Sequence, residues 1–230
     1  MKRILDFLSD LRANNNREWF AANKDRYREA EALFGVFGER LVALVGEFDP
    51  LVRGLSLKDC TYRIYRDTRF SHDKTPYKTH FGLYICPGGK KSGNAGYYFH
   101  IEPSSGEGGM IGGHLLDAGI YMPEPAVLRS VRDEIFDNGA AVAASVSSAG
   151  RAAGWALDLS NSLKRTPVGF AAGSERDGWL RLKDFHLSKT IDDAYILGPD
   201  PAERAAADFR AALDFMTLMN RAARFAHEEM

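Results

Sequence analysis

Between Arg63 and His80 the chain sets three arginines, two lysines, two histidines and two aspartates within eighteen residues. Two like charges about 5 Å apart repel by about 3 kcal/mol at a surface-like dielectric, so packing alone gives no reason to concentrate cations in this way. Asp67 and Asp73 can neutralise two of the five formal cations, and the rest must face water or meet an anion from outside. An arginine fork matches phosphate or carboxylate in a bidentate manner, and lysine adds a compact point charge. Arg63, Arg66, Arg69, Lys74 and Lys78 are therefore the candidate ligand-binding set, with Asp67, Asp73 and His80 as candidate catalytic acids and bases. The competing reading is structural. In it Asp67 clamps Arg63 or Arg69, Asp73 clamps Lys74 or a more distant arginine, and the network orders a long loop.

Further along, His100-x-Glu102 places an imidazole and a carboxylate on one face of a strand, about 7 Å apart. That spacing suits an acid–base pair or two metal ligands. A hydrogen-bonded strand face is the simpler reading, and no metal is assigned. The zinc-deaminase pattern fails, because no P-C-x-x-C follows. Lys164-Arg165 before Pro167 is a smaller basic patch, either a solvated turn or a second wall of the same anion site. The glycines at 108–109 and 112–113 match neither a P-loop nor a dinucleotide fingerprint and read as turns. A G-x-S-x-G nucleophile elbow is absent from the sequence.

These residues need a scaffold. Leu5, Leu8 and Leu11 recur at helical spacing over residues 4–12, and Asn14–Asn16 supply a turn and a cap for the next helix. Tyr27, Ala30, Phe34, Phe37, Leu41, Leu44 and Phe48 predict a long core-facing helix that stops at Asp49-Pro50. Residues 61–65 read as a strand, and alternation then fails from Arg66 to Lys78, a long excursion of the kind that carries function. Strands follow at 81–85 and 97–102; in the second, Tyr97, Phe99 and Ile101 share one face and Tyr98, His100 and Glu102 the other. Residues 106–113 and 115–121 read as a glycine-rich hairpin. Pro123–Pro125 opens a helix, a second is expected over about 140–150, short strands near 157–163 and 185–187, and a last helix after Pro201. Helices at both ends around a run of strands predict an α+β fold: a central, mainly antiparallel sheet, long N-terminal helices and a C-terminal helix packed on it, as one domain over 1–230.

The chain has 230 residues, a formal net charge of −1 and 45% hydrophobic residues. Near neutrality argues against a generally nucleic-acid-coated or membrane-surface protein, so any basic patch is local. Two cysteines, Cys60 and Cys86, form no C-x-x-C pair and fit a reducing compartment. Asp6 and Asp10 interrupt what a signal peptide would need as its apolar segment, and no membrane-spanning stretch occurs in the sequence. A cytoplasmic location is expected.

Arg63-x-x-Arg66-Asp67-x-Arg69-Phe70 followed by Asp73-Lys74-x-Pro76-Tyr77-Lys78 resembles the signature of a bacterial family of conserved hypothetical proteins, with some fungal relatives, described as a domain of unknown function. The resemblance extends to Trp19-Phe20, Gly96–Pro103, Gly119–Pro123 and Lys164–Phe170. It implies one full-length domain and singles out the 63–80 segment. It implies no particular reaction or cofactor. The expected function is binding, with hydrolysis or transfer as a further step, of a phosphorylated or other anionic small molecule. The alternatives are a non-enzymatic module for a protein or nucleic-acid partner, which ranks lower, and the structural network.

Overall fold

The computed structural model describes residues 1–69, 71–104 and 109–229. Phe70 of the charged motif and residues 106–108 of the expected hairpin lie outside them. The architecture is α+β. A five-stranded antiparallel sheet has the order β1-β2-β3-β5-β4, formed by Phe81–Ile85, Gly96–Ile101, His114–Ile120, Phe185–Ile191 and Ala156–Leu157 for β1, β2, β3, β5 and β4. The chain folds as two compact units.

The first unit comprises Met1–Tyr84, Tyr98–Leu116 and Thr190–Ala206. Its N-terminal helices are α1 (Lys2–Ala13), α2 (Arg17–Ala22), α3 (Lys24–Phe48) and the short α4 (Leu57–Cys60). In α1 the buried residues are Ile4, Phe7, Leu8 and Leu11, the stripe its apolar spacing requires. Asn16 caps α2 by accepting from Trp19 N at 2.9 Å. From α3, Phe34 stacks on Phe81 at 5.1 Å between ring centres, and Phe37 meets Phe99 at 4.5 Å. These contacts hold the helix on the side of β2 that carries Phe99, leaving Tyr98 and His100 on the other.

Residues 61–65 do not form a regular strand. Thr61 bridges to Leu83 and Tyr65 to Tyr77, each in isolation. Lys78 N donates to Ile64 O at 2.8 Å and Arg66 N to Pro76 O at 2.9 Å. Pro76 has no N–H to extend this ladder, so the pairing ends there and the charged tip begins. Asn15 fixes the returning arm from outside: its amide donates to Tyr77 O at 2.9 Å and accepts from Tyr77 N at 3.1 Å. Tyr77 also stacks on Phe20 at 3.9 Å.

The second unit comprises Ile85–Tyr97, Asp117–Lys189 and Ala207–Met230. The expected pair of helices after Pro125 is one element, α5 (Pro125–Ala153), bent at Asn138, where the backbone leaves helical angles. Arg176 occupies the space beside Gly139 and donates to Phe136 O at 3.1 Å, which holds the bend open. The short α6 (Asp177–Leu180) follows, and α9 (Leu213–Glu228) lies along α5. The expected last helix is split: α8 (Pro201–Ala211) ends at Ala212 and α9 begins after it. Between β5 and α8, Asp193–Leu197 forms α7, which belongs to the first unit. Asn220 of α9 is buried and is bonded to both backbone groups of Ala95, at 2.9 and 3.3 Å. Among the described residues, no helix is long and apolar enough to cross a membrane.

Candidate functional site

Glu102 follows β2 directly and is fully buried. Three donors meet each carboxylate oxygen. Oε1 accepts from Met110 N at 2.6 Å and Thr79 Oγ1 at 3.0 Å and pairs with Arg12 Nη2 at 3.3 Å. Oε2 accepts from Ile111 N at 2.8 Å, Gly112 N at 3.1 Å and His100 Nε2 at 3.4 Å. Three successive backbone N–H groups around one anion form a nest, with Gly112 at φ +80° supplying the left-handed step. The glycine-rich segment thus wraps an anion after all, one from its own chain. Burial alone would raise the Glu102 carboxyl, but the His100 and backbone donors hold it well below the usual carboxylate range.

His100 is also fully buried and links this carboxylate to a phenol. Because ionised Glu102 only accepts, Nε2 of His100 carries a proton. In the neutral ring Nδ1 is then the acceptor, and Tyr98 Oη donates to it at 2.9 Å. The three side chains come from alternate positions of one strand and share its face, as the alternation predicts. Gly82 on β1 makes room for the phenol. A Cβ there would lie 2.7 Å from Tyr98 Oη. Tyr98 is half-buried.

His80 stacks on His100 with ring centres 4.6 Å apart. Its Nδ1 is buried and has no hydrogen-bond partner among the described residues. Burial first, with the Lys78 and Arg66 charges adding to it, pushes its pKa down to about 3 against the opposing pull of Glu102. His80 is therefore a neutral ring at physiological pH. Beneath the site His114 accepts from Glu102 N at 3.3 Å and donates to Asp193 Oδ1 at 3.0 Å, which fixes its tautomer.

His80, His100 and Glu102 each offer a ligand atom, all within 4.8 Å of one another. An ion placed among them would have to displace the donors that already fill Glu102 Oε2, so the donor set favours an internal acceptor over a ligand.

The 63–80 cations divide into two groups. Arg66 is ion-paired with Asp73 and bonded to Thr75. Arg69, 77% exposed, forks onto Asp67 at 2.6 and 3.0 Å. Lys74 donates to Thr68 O at 2.9 Å. Asp67 is drawn down to about 2 by its Arg69 bonds, and Asp73 to about 2 by Thr75 N–H and Arg66. Both are weak bases in that state. Neither Arg63 nor Lys78 makes an ion pair among the described residues, though the Arg63 charge helps to lower Asp67. Lys78 is half-buried, 5.2 Å over the Tyr62 ring, and its pKa is lowered by burial and by Arg63.

Sequence reasoning connected neither Thr79 nor Arg12 to Glu102, and it placed Tyr98 on the correct face without a role. A groove of about 720 Å³ beside α3, lined by Val42, Gly46, Leu55 and Leu57, contains none of these groups. The second unit has its own cluster of titratable groups. His186 lies between Asp117 Oδ1 at 3.3 Å from Nδ1 and Asp158 Oδ2 at 3.5 Å from Nε2. Lys164 and Arg165 belong to this unit, in a turn before Gly169 at φ +93°.

No curated protein and no solved structure matches the chain. The family comparison matches residues 3–218, nearly the full length, and shows that the chain belongs to the conserved hypothetical protein family DUF2461.

Proposed function

We propose that this protein binds a phosphorylated or otherwise anionic small molecule beside His80, with Arg63 and Lys78 as its principal cations and Arg66 as a secondary one. One observation carries the reading: among the described residues neither Arg63 nor Lys78 makes an ion pair, although the Arg63 charge acts on both Lys78 and Asp67, while Arg66 and Arg69 are paired. The Arg63 charge disfavours the Lys78 ammonium. An arriving anion relieves that repulsion and supplies two charge-assisted contacts. His80 adds a neutral nitrogen at the same place, able to bond a hydroxyl or a protonated phosphate oxygen.

The test is a thermal-shift panel of inorganic phosphate, sugar phosphates, nucleotides and short oligonucleotides on the wild type and on Arg63→Ala/Lys78→Ala. At a hundred times its dissociation constant a ligand stabilises by about 2.7 kcal/mol, which is about 5–10 °C for a chain of this size. A shift from a phosphate compound that disappears in the double variant supports the reading. An equal shift in both proteins refutes it. A second reading follows from the exposed tip, where Arg69, His72 and Lys74 face solvent. There the tip docks on an acidic macromolecule. In that case only the oligonucleotides or another polyanion shift the protein, and the effect falls steeply with salt.

A further inference from the structure

The geometry points to Tyr98 as the reacting group of this site, a nucleophilic phenol that attacks a phosphate ester; this rests on the anion-binding reading above. A nucleophile of this kind needs a base within hydrogen-bond reach and a third group that orients the base. Here Tyr98 Oη lies 2.9 Å from His100 Nδ1, and the opposite ring nitrogen lies 3.4 Å from Glu102. Glu102 is itself immobilised by Arg12, Thr79 and the 110–112 nest, so the imidazole is held in one tautomer. Gly82 leaves the space that the phenol occupies. Lys78 and Arg66 place positive charge on the His80 side of the relay, where an ester phosphate would sit.

In the step, the Tyr98 Oη–phosphorus bond forms and the bond from phosphorus to the ester oxygen breaks. The phenol proton passes to His100 Nδ1, and Glu102 stabilises the resulting imidazolium. The departing oxygen, opposite the phenol in an in-line displacement, takes a proton from solvent and leaves as an alcohol. Water then attacks from that same side and loses a proton to solvent, the His100 imidazolium returns its proton to the phenol oxygen, and inorganic phosphate is released.

An aryl sulfonyl fluoride reports on the phenol without a known substrate, since a nucleophilic tyrosine displaces its fluoride. Tyr121, 65% exposed, is the internal standard. We expect Tyr98 to be labelled about a hundredfold faster than Tyr121, the low end of what a positioned base contributes. Inorganic phosphate should slow that labelling selectively. In folded His100→Gln, the Tyr98 advantage should fall about tenfold or more. Equal labelling of the two tyrosines in the wild type overturns the proposal, with no variant required. A phosphate-induced thermal shift with slow Tyr98 labelling leaves anion binding standing and removes Tyr98 as nucleophile. Fast labelling that phosphate does not slow removes the phosphate ester as substrate.

Discussion

Replacing Glu102 with glutamine exchanges one carboxylate oxygen for an amide and changes the volume little. Each possible placement conflicts with the donors around it. An amide in the Oε2 position faces the N–H groups of Ile111 and Gly112, neither of which can become an acceptor. His100 could reverse its tautomer there, but only by turning the Tyr98 bond around. An amide at Oε1 faces Met110 N–H and the buried Arg12 guanidinium, and only the Thr79 hydroxyl can rotate to accept. In either case the pair between the Glu102 carboxylate and Arg12, whose side chain is 7% exposed, is broken. Removing one member of a buried pair costs about 3–5 kcal/mol, which lowers the melting temperature of a chain this long by about 6–20 °C.

Glutamine also changes the pH dependence. The Glu102 carboxyl is held below its ordinary range, so its stabilisation is complete above the unfolded-chain value of about 4.3 and is lost as pH falls from there towards the folded value. The stability gap between wild type and Glu102→Gln should be constant from pH 8 to about pH 5 and should narrow in more acid solution. Urea denaturation across that range measures the gap, and hydrogen exchange at Met110, Ile111 and Gly112 shows whether the nest has opened. A variant within about 1 kcal/mol of wild type at pH 7, with those three amides still protected, would refute the assignment of Glu102 as the acceptor that fastens this segment.

Gly119 on β3 has φ +148°, and a Cβ there would lie 2.2 Å from Phe185 O. Gly119→Ala should destabilise by about 2–4 kcal/mol in urea denaturation. The companion Gly54→Ala, at φ +80° with open space around it, should cost only about 1–2 kcal/mol; equal losses would show that the close approach to β5 contributes nothing. At His186, burial lowers the pKa, but the Asp117 hydrogen bond and the charges of Asp117, Asp158 and Asp184 raise it more. Its stabilisation is therefore complete below about pH 6.5 and fades as pH rises through the higher folded value. The wild-type urea midpoint should fall from pH 6.5 upward with a slope that His186→Gln lacks, and an imidazole proton titration at or below pH 6.5 would contradict this.

Short-range periodicity was enough for the helices and for one strand. The stripes of α1 and α3 and the alternation of Tyr97, Phe99 and Ile101 with Tyr98, His100 and Glu102 are local patterns set by backbone geometry. The 61–65 segment shows where such patterns fall short. Ile64 does turn inward, as alternation requires, but a strand also needs a partner, and Pro76 on the opposite arm cuts the ladder short. The Glu102 site depends on contacts made after a long return of the chain: Thr79 lies 23 residues before it and Arg12 reaches it from α1. Neither spacing carries a signal. The same holds for His186, whose two carboxylates come from β3 and from the segment after β4.

The sequence favours an anion site over a structural network for the charged motif, and the charges pair differently along the loop. Above the Arg66–Pro76 rung, charges cancel locally: Asp67 holds Arg69 and Asp73 holds Arg66. Those pairs are largely exposed, and exposed pairs contribute little to global stability, so their effect is to shape the tip. Below the rung the pattern reverses. Arg63 and Lys78 repel each other, and Lys78 is further penalised by burial. Lys78 also acts on the neutral His80 that stacks on the Tyr98–His100–Glu102 relay. On the proposed reading, a bound anion supplies the charge that offsets this repulsion.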